Sequence, residues 1–156
     1  MIYKTTRKPV FDDTIIKGVD SIVDGMYHRK TETYANHLPT IAYLNEFRSV
    51  FLALPRQTGK TTYIKKLYAH LQDMGHCPVI ITNRKIDADN SYGRNFEVKP
   101  IHQITDIGSF LGKQSYYDVL LFDEVHPDKA KQALALLSTY QNRFTTKINF
   151  VLGLYT

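Results

Sequence analysis

Ser49-Val50-Phe51-Leu52-Ala53-Leu54-Pro55-Arg56-Gln57-Thr58-Gly59-Lys60-Thr61-Thr62 decides the fold of this chain. Its first six residues are a short β-branched and apolar run, as a strand buried in a parallel sheet requires. Residues 54–62 then read as a phosphate-binding loop. Such a loop needs a tight turn with inward backbone N–H groups, a lysine for the terminal phosphates and a hydroxyl for Mg²⁺. Gly59, Lys60 and Thr61 supply the last glycine, the lysine and the hydroxyl, whereas the strict pattern G-x-x-x-x-G-K-[ST] wants a glycine where this chain has Leu54. Downstream, Ile64, Leu67, Tyr68, Leu71 and Met74 recur at helical spacing, and Gly75 follows as a C′ glycine. The order strand, loop, helix aims a helix N-terminus at a bound anion. The alternative is a lysine-bearing turn in an ordinary βα unit.

Val119-Leu120-Leu121-Phe122 runs directly into Asp123-Glu124. Four apolar residues followed by paired carboxylates describe a buried strand that carries acid into the crevice where open α/β sheets bind ligands. Asp123 is expected to hold Mg²⁺ opposite Thr61, and Glu124 to polarise an attacking water as general base. A strand that ends in a solvated acidic turn is the alternative.

At 156 residues the chain has the length of a single domain, and with 43% hydrophobic residues it can bury a full core. No apolar run approaches the roughly 20 residues that span a bilayer. Met1-Ile2-Tyr3-Lys4-Thr5-Thr6-Arg7-Lys8 lacks the apolar core of a signal peptide. A soluble cytoplasmic protein with no membrane partner is therefore expected. Cys77, the sole cysteine, excludes an internal disulfide and a cysteine-based zinc site, and is expected to be a passive, half-buried thiol. The net charge is +5 and the pI about 9.2, with small basic groups at Lys4, Arg7 and Lys8, Arg29 and Lys30, Arg84 and Lys85, and Lys129 and Lys131. That surplus favours a polyanionic partner through counterion release. Eleven Tyr and eight Phe offer stacking platforms for bases, most of them expected in the core.

A basic arm over residues 1–10 precedes a helix capped by Asp12 or Asp13, with Ile15, Ile16, Val19, Ile22, Val23 and Met26 on one face. A second helix after Pro39 uses Ile41, Leu44 and Phe47, and the two are expected to form a lid or adenine-side layer. Tyr43 is a candidate for base stacking, although core packing is the commoner use of such a tyrosine. Pro78 to Thr82 reads as a strand with Asn83-Arg84-Lys85 at its ligand end, and Ile86 to Arg94 as a polar loop. Phe96 to Lys99 is expected to be a short strand, and Thr105 to cap a helix through Leu111. A helix from Asp128 to about Tyr140 has Leu134, Leu136 and Leu137 inward, and a last strand, Lys147 to Leu152, delivers Gly153 and Thr156 to the crevice edge. Alternating strands and helices imply a mostly parallel sheet with right-handed crossovers and helices on both faces, an α/β three-layer sandwich of the P-loop NTPase type. Residues 1–35 form the N-terminal arm and helix, and residues 36–156 the core.

Leu-x-Arg-Gln-x-Gly-Lys-Thr-Thr, here Leu54 to Thr62, resembles the variant phosphate loop, or Walker A motif, of the large terminase subunits that package DNA into viral heads. That family commonly lacks the first glycine and carries Arg-Gln in mid-loop. The resemblance implies a RecA-like ATPase core over roughly residues 36 to 156. In it Arg56 is a charge-stabilising arginine in cis, and Glu124 the catalytic glutamate after the Walker B aspartate Asp123. Leu152-Gly153-Leu154-Tyr155-Thr156 is similar in position to the motif that couples hydrolysis to movement. Asp123-Glu124-Val125-His126 equally resembles the DExH box of superfamily 2 helicases. The second RecA-like domain of helicases, the nuclease domain of terminases and a glutamine-bearing adenine motif have no counterpart here. An isolated module, or one whose missing domain comes from another copy or a partner protein, is expected.

The function so implied is Mg²⁺-dependent ATP hydrolysis coupled to nucleic acid, DNA more than RNA, by a terminase-like or helicase-like module of viral origin acting in the host cytoplasm. Pro55, Arg56, Gln57, Thr58, Gly59, Lys60, Thr61 and Thr62 are the nucleotide-binding set. Lys60, Glu124 and Arg56 are the catalytic set, and Thr61 and Asp123 the metal pair. Arg143 is a second arginine candidate, acting across a subunit interface. The alternatives are a small nucleotide kinase, with Arg84, Lys85 and Arg94 as an arginine-rich lid, and a nucleotide-binding regulatory module without turnover. His126 reads as a helix-entry residue rather than a metal ligand.

Overall fold

A computed structural model of the chain describes residues 13–28, 40–105, 117–140, 148 and 150–156. The chain forms helices α1 (Asp13–Tyr27) and α2 (Thr40–Phe47), strand β1 (Ser49–Ala53), α3 (Lys60–Asp73), β2 (Pro78–Thr82) and α4 (Lys85–Ser91). Then come β3 (Val98–Pro100), α5 (His102–Thr105), β4 (Val119–Asp123), α6 (Pro127–Tyr140) and β5 (Phe150–Tyr155) among the described residues. The strands make one all-parallel sheet of order β1-β5-β4-β2-β3. β5 therefore lies between the strand that precedes the 54–62 loop and the strand that ends at Asp123.

Every residue of β2 and of β4 is buried, as expected of interior parallel strands covered on both faces. Strand alternation divides their side chains between two cores. Val79, Ile81, Leu120, Phe122 and Val151 pack against Leu44 of α2, Ile104 of α5 and Ala130, Ala133 and Leu134 of α6. Ile80, Val119, Leu121, Phe150, Leu152 and Leu154 pack on the other face against Val19 and Val23 of α1 and Tyr63, Ile64, Tyr68 and Leu71 of α3. The α/β class, the parallel sheet and helices on both faces thus follow the sequence. The two N-terminal helices do not form one layer, because α1 and α2 lie on opposite faces.

Several local expectations need correction. Residues 86–91 are not loop, although 92–94 are: α4 occupies 85–91, opened by a reciprocal cap between Arg84 and Asp87 and held down by Ala88 and Tyr92. Thr105 is the last described residue of α5, and the helix expected from it through Leu111 lies outside the described residues. The last strand runs three residues past the expected end, so Gly153 lies inside β5, paired with Phe51 and Phe122, and not at the crevice edge. Ile22, Met74 and Leu136 are exposed where an inward face was expected, and Cys77 is exposed rather than half-buried. Gly75 does close α3 in the left-handed conformation, with φ 86°. Its N–H bonds to Gln72 O at 3.0 Å and that of His76 to Leu71 O at 3.0 Å, the paired bonds of a Schellman cap.

The basic arm, Arg29, Lys30, the stretch after Thr105 to Leu111 and Arg143 fall outside the described residues, as do the side chains of Ile15, Ile41 and Leu137. No helix among the described residues is long and apolar enough to cross a membrane.

Candidate functional site

The carboxyl ends of β1, β4, β5 and β2 converge on one edge of the sheet, where open parallel sheets hold their ligands. From β1 the chain passes through Leu54, whose N–H bonds to Tyr155 O at 2.7 Å and so extends the β1–β5 ladder by one step. Its side chain is half-buried against the α1–α3 core, a use for leucine where the strict motif has glycine. The turn beyond it curls through two left-handed residues, Gln57 at φ 58° and Gly59 at φ 85°. Inside it Thr58 is buried, and its hydroxyl donates to Pro55 O at 2.8 Å. Left-handed residues in such a turn direct successive N–H groups to one side. Gly59 leads into α3 with no side-chain cap, leaving the first-turn N–H groups of Lys60, Thr61 and Thr62 without one.

Lys60 and Thr61 open α3 and reach in different directions. The Lys60 side chain is buried, its ammonium donating to Pro55 O at 2.8 Å and lying 3.2 Å from Glu124 Oε1. Thr61 reaches β4, its hydroxyl donating to Asp123 Oδ2 at 2.8 Å. Tyr92, at the C-terminal cap of α4, donates to the same oxygen at 2.6 Å. Asp123 is 6% exposed, and its other oxygen, Oδ1, is buried with no hydrogen-bond partner. Burial raises the Asp123 pKa above the usual carboxylate range, and Glu124 adds to the rise, whereas the bonds from Tyr92 and Thr61 and the charge of Lys60 oppose it.

Glu124 follows with φ 56°, a left-handed conformation that costs a non-glycine residue about 1–2 kcal/mol. Among the described residues it and Gln57 are the two non-glycine residues with positive φ, and both line this edge. Such outliers concentrate where surrounding structure over-determines the backbone. Four bonds do so at Glu124. Its N–H donates to Leu154 O at 2.9 Å, its carbonyl accepts from the Asn83 amide, and its carboxylate accepts from Thr156 N–H at 3.0 Å and the Thr156 hydroxyl at 2.8 Å.

The structure thus brings together Lys60, Thr61, Asp123, Glu124 and Thr156, and surrounds them with Pro55, Thr58 and Gly59. Arg56 and Gln57 are exposed, and Arg56 makes no hydrogen bond or ion pair among the described residues; Thr62 is half-buried in α3. Tyr43 is half-buried, accepts from Arg48 Nε at 3.2 Å and packs on Phe47. Arg84 is tied to Asp87 at 3.0 Å in the α4 cap. His126 is an entry residue of α6, its Nδ1 accepting from Asp128 N–H at 3.2 Å. Tyr92 was missed because it lies in the stretch read as polar loop. Its one sequence signal is the i,i+4 spacing to Ala88.

A hard divalent cation takes oxygen ligands and keeps its carboxylates ionised. The orphaned Oδ1 of a buried aspartate beside a threonine hydroxyl fits such an ion, which would supply the charge that Asp123 lacks. Among the described residues no group of three or more His, Cys, Asp and Glu side chains could hold a metal by itself. Anionic ligand oxygens would have to complete the coordination of an ion at Asp123. No family model and no curated protein matches this chain.

Proposed function

We propose that the chain is a Mg²⁺-dependent, P-loop ATPase of the terminase-like or helicase-like kind whose turnover is coupled to nucleic acid. The observation that carries the reading is the hydroxyl-to-carboxylate bond from Thr61 to Asp123, made beside a buried Lys60 and an unpartnered Asp123 Oδ1. Phosphoryl transfer asks little covalent chemistry of a protein, so positioning and charge stabilisation carry most of the catalysis. Held by Asp123 and Thr61, Mg²⁺ would supply positive charge against the negative charge that develops on the phosphates.

The chain's own groups divide the remaining work. The curled loop and the uncapped start of α3 offer N–H groups to phosphate oxygens. Lys60, now shared between Pro55 O and Glu124, exchanges those partners for a more highly charged phosphate. That exchange frees Glu124, which Thr156 and the strained backbone hold at the strand end, to take a proton from the attacking water. Asp123 and Thr61 hold the cation. Arg56, exposed on the turn, is available to swing toward transferred charge.

The basic surplus supports a polyanionic partner, and the resemblance to DNA-packaging subunits puts DNA before RNA. A second copy or a partner protein docked on this edge would close over the nucleotide. The tie between Arg84 and Asp87 occupies one of the arginines that a kinase lid would need.

Two experiments test the reading. Lys60→Ala is expected to abolish ATP binding in a titration that the wild-type chain passes. ATP turnover is expected to rise with single- or double-stranded DNA and to ignore nucleoside monophosphates. Stimulation by monophosphates alone would overturn the ATPase assignment in favour of a kinase.

A further inference from the structure

Tyr92 stands outside every motif of the sequence, yet it makes the shortest side-chain contact to Asp123, 2.6 Å from hydroxyl to Oδ2. That length belongs to charge-assisted O–H···O⁻ bonds. We propose that the Tyr92 hydroxyl is a positioning group for the divalent-cation site, occupying one oxygen of Asp123 so that the other is left for the metal. The proposal rests on the reading of Asp123 and Thr61 as the cation's ligands.

The distribution of donors is the first argument. Thr61 and Tyr92 both donate to Oδ2, at 2.8 and 2.6 Å, while Oδ1 is buried and receives nothing. A carboxylate that only braced the fold would share its donors between both oxygens, because a buried acceptor without a partner is costly. Here the asymmetry assigns each oxygen one task.

How the hydroxyl is aimed is the second. Tyr92 is 7% exposed and caps α4, its N–H bonded to Ala88 O at 2.9 Å. The Phe96 ring meets it edge-on at 5.7 Å, and Lys65 Nζ of α3 sits 5.4 Å from its centroid. Packing of this kind fixes both side-chain torsions of a tyrosine and leaves little freedom at its tip. α4 thereby becomes a third element, with α3 and β4, that sets the geometry of the site. Partners of this kind that orient a ligating carboxylate are typically worth about 10- to 100-fold in metal affinity.

Mn²⁺ and ADP are the probes, with the full chain as wild type, Tyr92→Phe, Phe96→Leu and Asp123→Asn. ADP affinity is measured in EDTA and in saturating Mn²⁺, with Mn²⁺ occupancy followed by electron paramagnetic resonance. In the wild type Mn²⁺ tightens ADP binding, and in Asp123→Asn that gain disappears. Tyr92→Phe keeps the ring, the metal-free ADP affinity and the melting temperature to within a few degrees, and loses about 10-fold in Mn²⁺ affinity. Phe96→Leu keeps the hydroxyl, loosens the ring and shows a smaller loss in the same direction. A full Mn²⁺ effect in both Tyr92→Phe and Phe96→Leu overturns the proposal. So does a Tyr92→Phe protein whose metal-free ADP affinity falls in parallel, because the hydroxyl would then serve the fold alone. If Mn²⁺ gives the wild type no gain, or Asp123→Asn keeps it, the cation reading itself fails, and the Tyr92 role with it.

Discussion

Asp123 lies where burial disfavours its charged form, and that penalty is measurable without any ligand. Its folded-state pKa lies above the unfolded one, with burial as the largest cause, so the folded chain binds the proton more tightly than the unfolded chain. The contribution to stability is complete below the ordinary carboxylate range. It declines as pH rises through the unfolded pKa to the raised folded value, and is level above. Asn keeps an acceptor for Thr61 and Tyr92 and never ionises. In EDTA, Asp123→Asn is therefore expected to melt above the wild type at pH 8, with the gap closing at acidic pH. Melting curves across pH check this, and a variant that melts lower at pH 8 contradicts it. Gly153 poses a packing question on the opposite face of the sheet from α3. A Cβ there would lie 2.3 Å from Phe51 Cδ1 and 2.5 Å from Cε1, far inside contact distance. Overpacking of this kind costs about 1–3 kcal/mol, and Gly153→Ala is expected to show it by denaturant titration. Adding Phe51→Leu should recover part of the loss, as coupled neighbours do. The motif residues Lys60, Thr61, Asp123 and Glu124 were legible in the sequence because each follows directly from a strand or opens a helix. Tyr92 was not, since its role depends on an approach between residues 31 apart that no local pattern encodes.

At the scale of elements, most boundaries were written in the apolar periodicity, and the departures have local causes. α4 was hidden because only Ala88 and Tyr92 are buried on it, and its start depends on the Arg84–Asp87 cap rather than on an apolar stripe. β5 was placed too early, since its true pairing with β1 and β4 carries Gly153 and Tyr155 within the strand. The attachment of α1 was equally illegible. Arg48, between α2 and β1, donates to Met26 O at 3.3 Å, to Tyr27 O and to Tyr43, so a guanidinium closes the C-terminus of α1 and pins it to α2. Tyr27 adds a second tie, 2.6 Å to His76, which lies 2.8 Å from Asp118. Hydrogen bonds to a charged group contribute about 1.5–3 kcal/mol, and Arg48→Ala is expected to lose stability on that order. Amide exchange should rise first in residues 13–27, the element released. Unchanged exchange there would remove the clamp from the account. Cations also favour a helix C-terminus through its dipole, so Arg48→Lys should recover only part of the loss because one ammonium cannot span all three acceptors.

For the whole molecule, one sheet brings together groups that are far apart in the chain. Parallel strands all deliver their carboxyl ends to one edge, and the order β1-β5-β4-β2 sets the 54–62 loop, Thr156, Asp123-Glu124 and Asn83 along it. The α/β class and the parallel sheet were readable from alternating strand and helix patterns. Strand order was not, because it depends on which apolar faces pack together across the whole chain. The polyanionic partner proposed from the basic surplus has a test in salt. Affinity for DNA should fall linearly in log–log form as salt rises, with a slope that counts released counterions. A flat salt response would exclude the basic surface as its cause. The central claim, that this edge hydrolyses nucleotide with Glu124 as base, is tested most directly by phosphate release from Mg²⁺·ATP in wild type and Glu124→Gln at saturating nucleotide. The account predicts retained binding and a release rate lower by about 10²- to 10⁴-fold, the usual contribution of a general base. Wild-type hydrolysis by Glu124→Gln would contradict it.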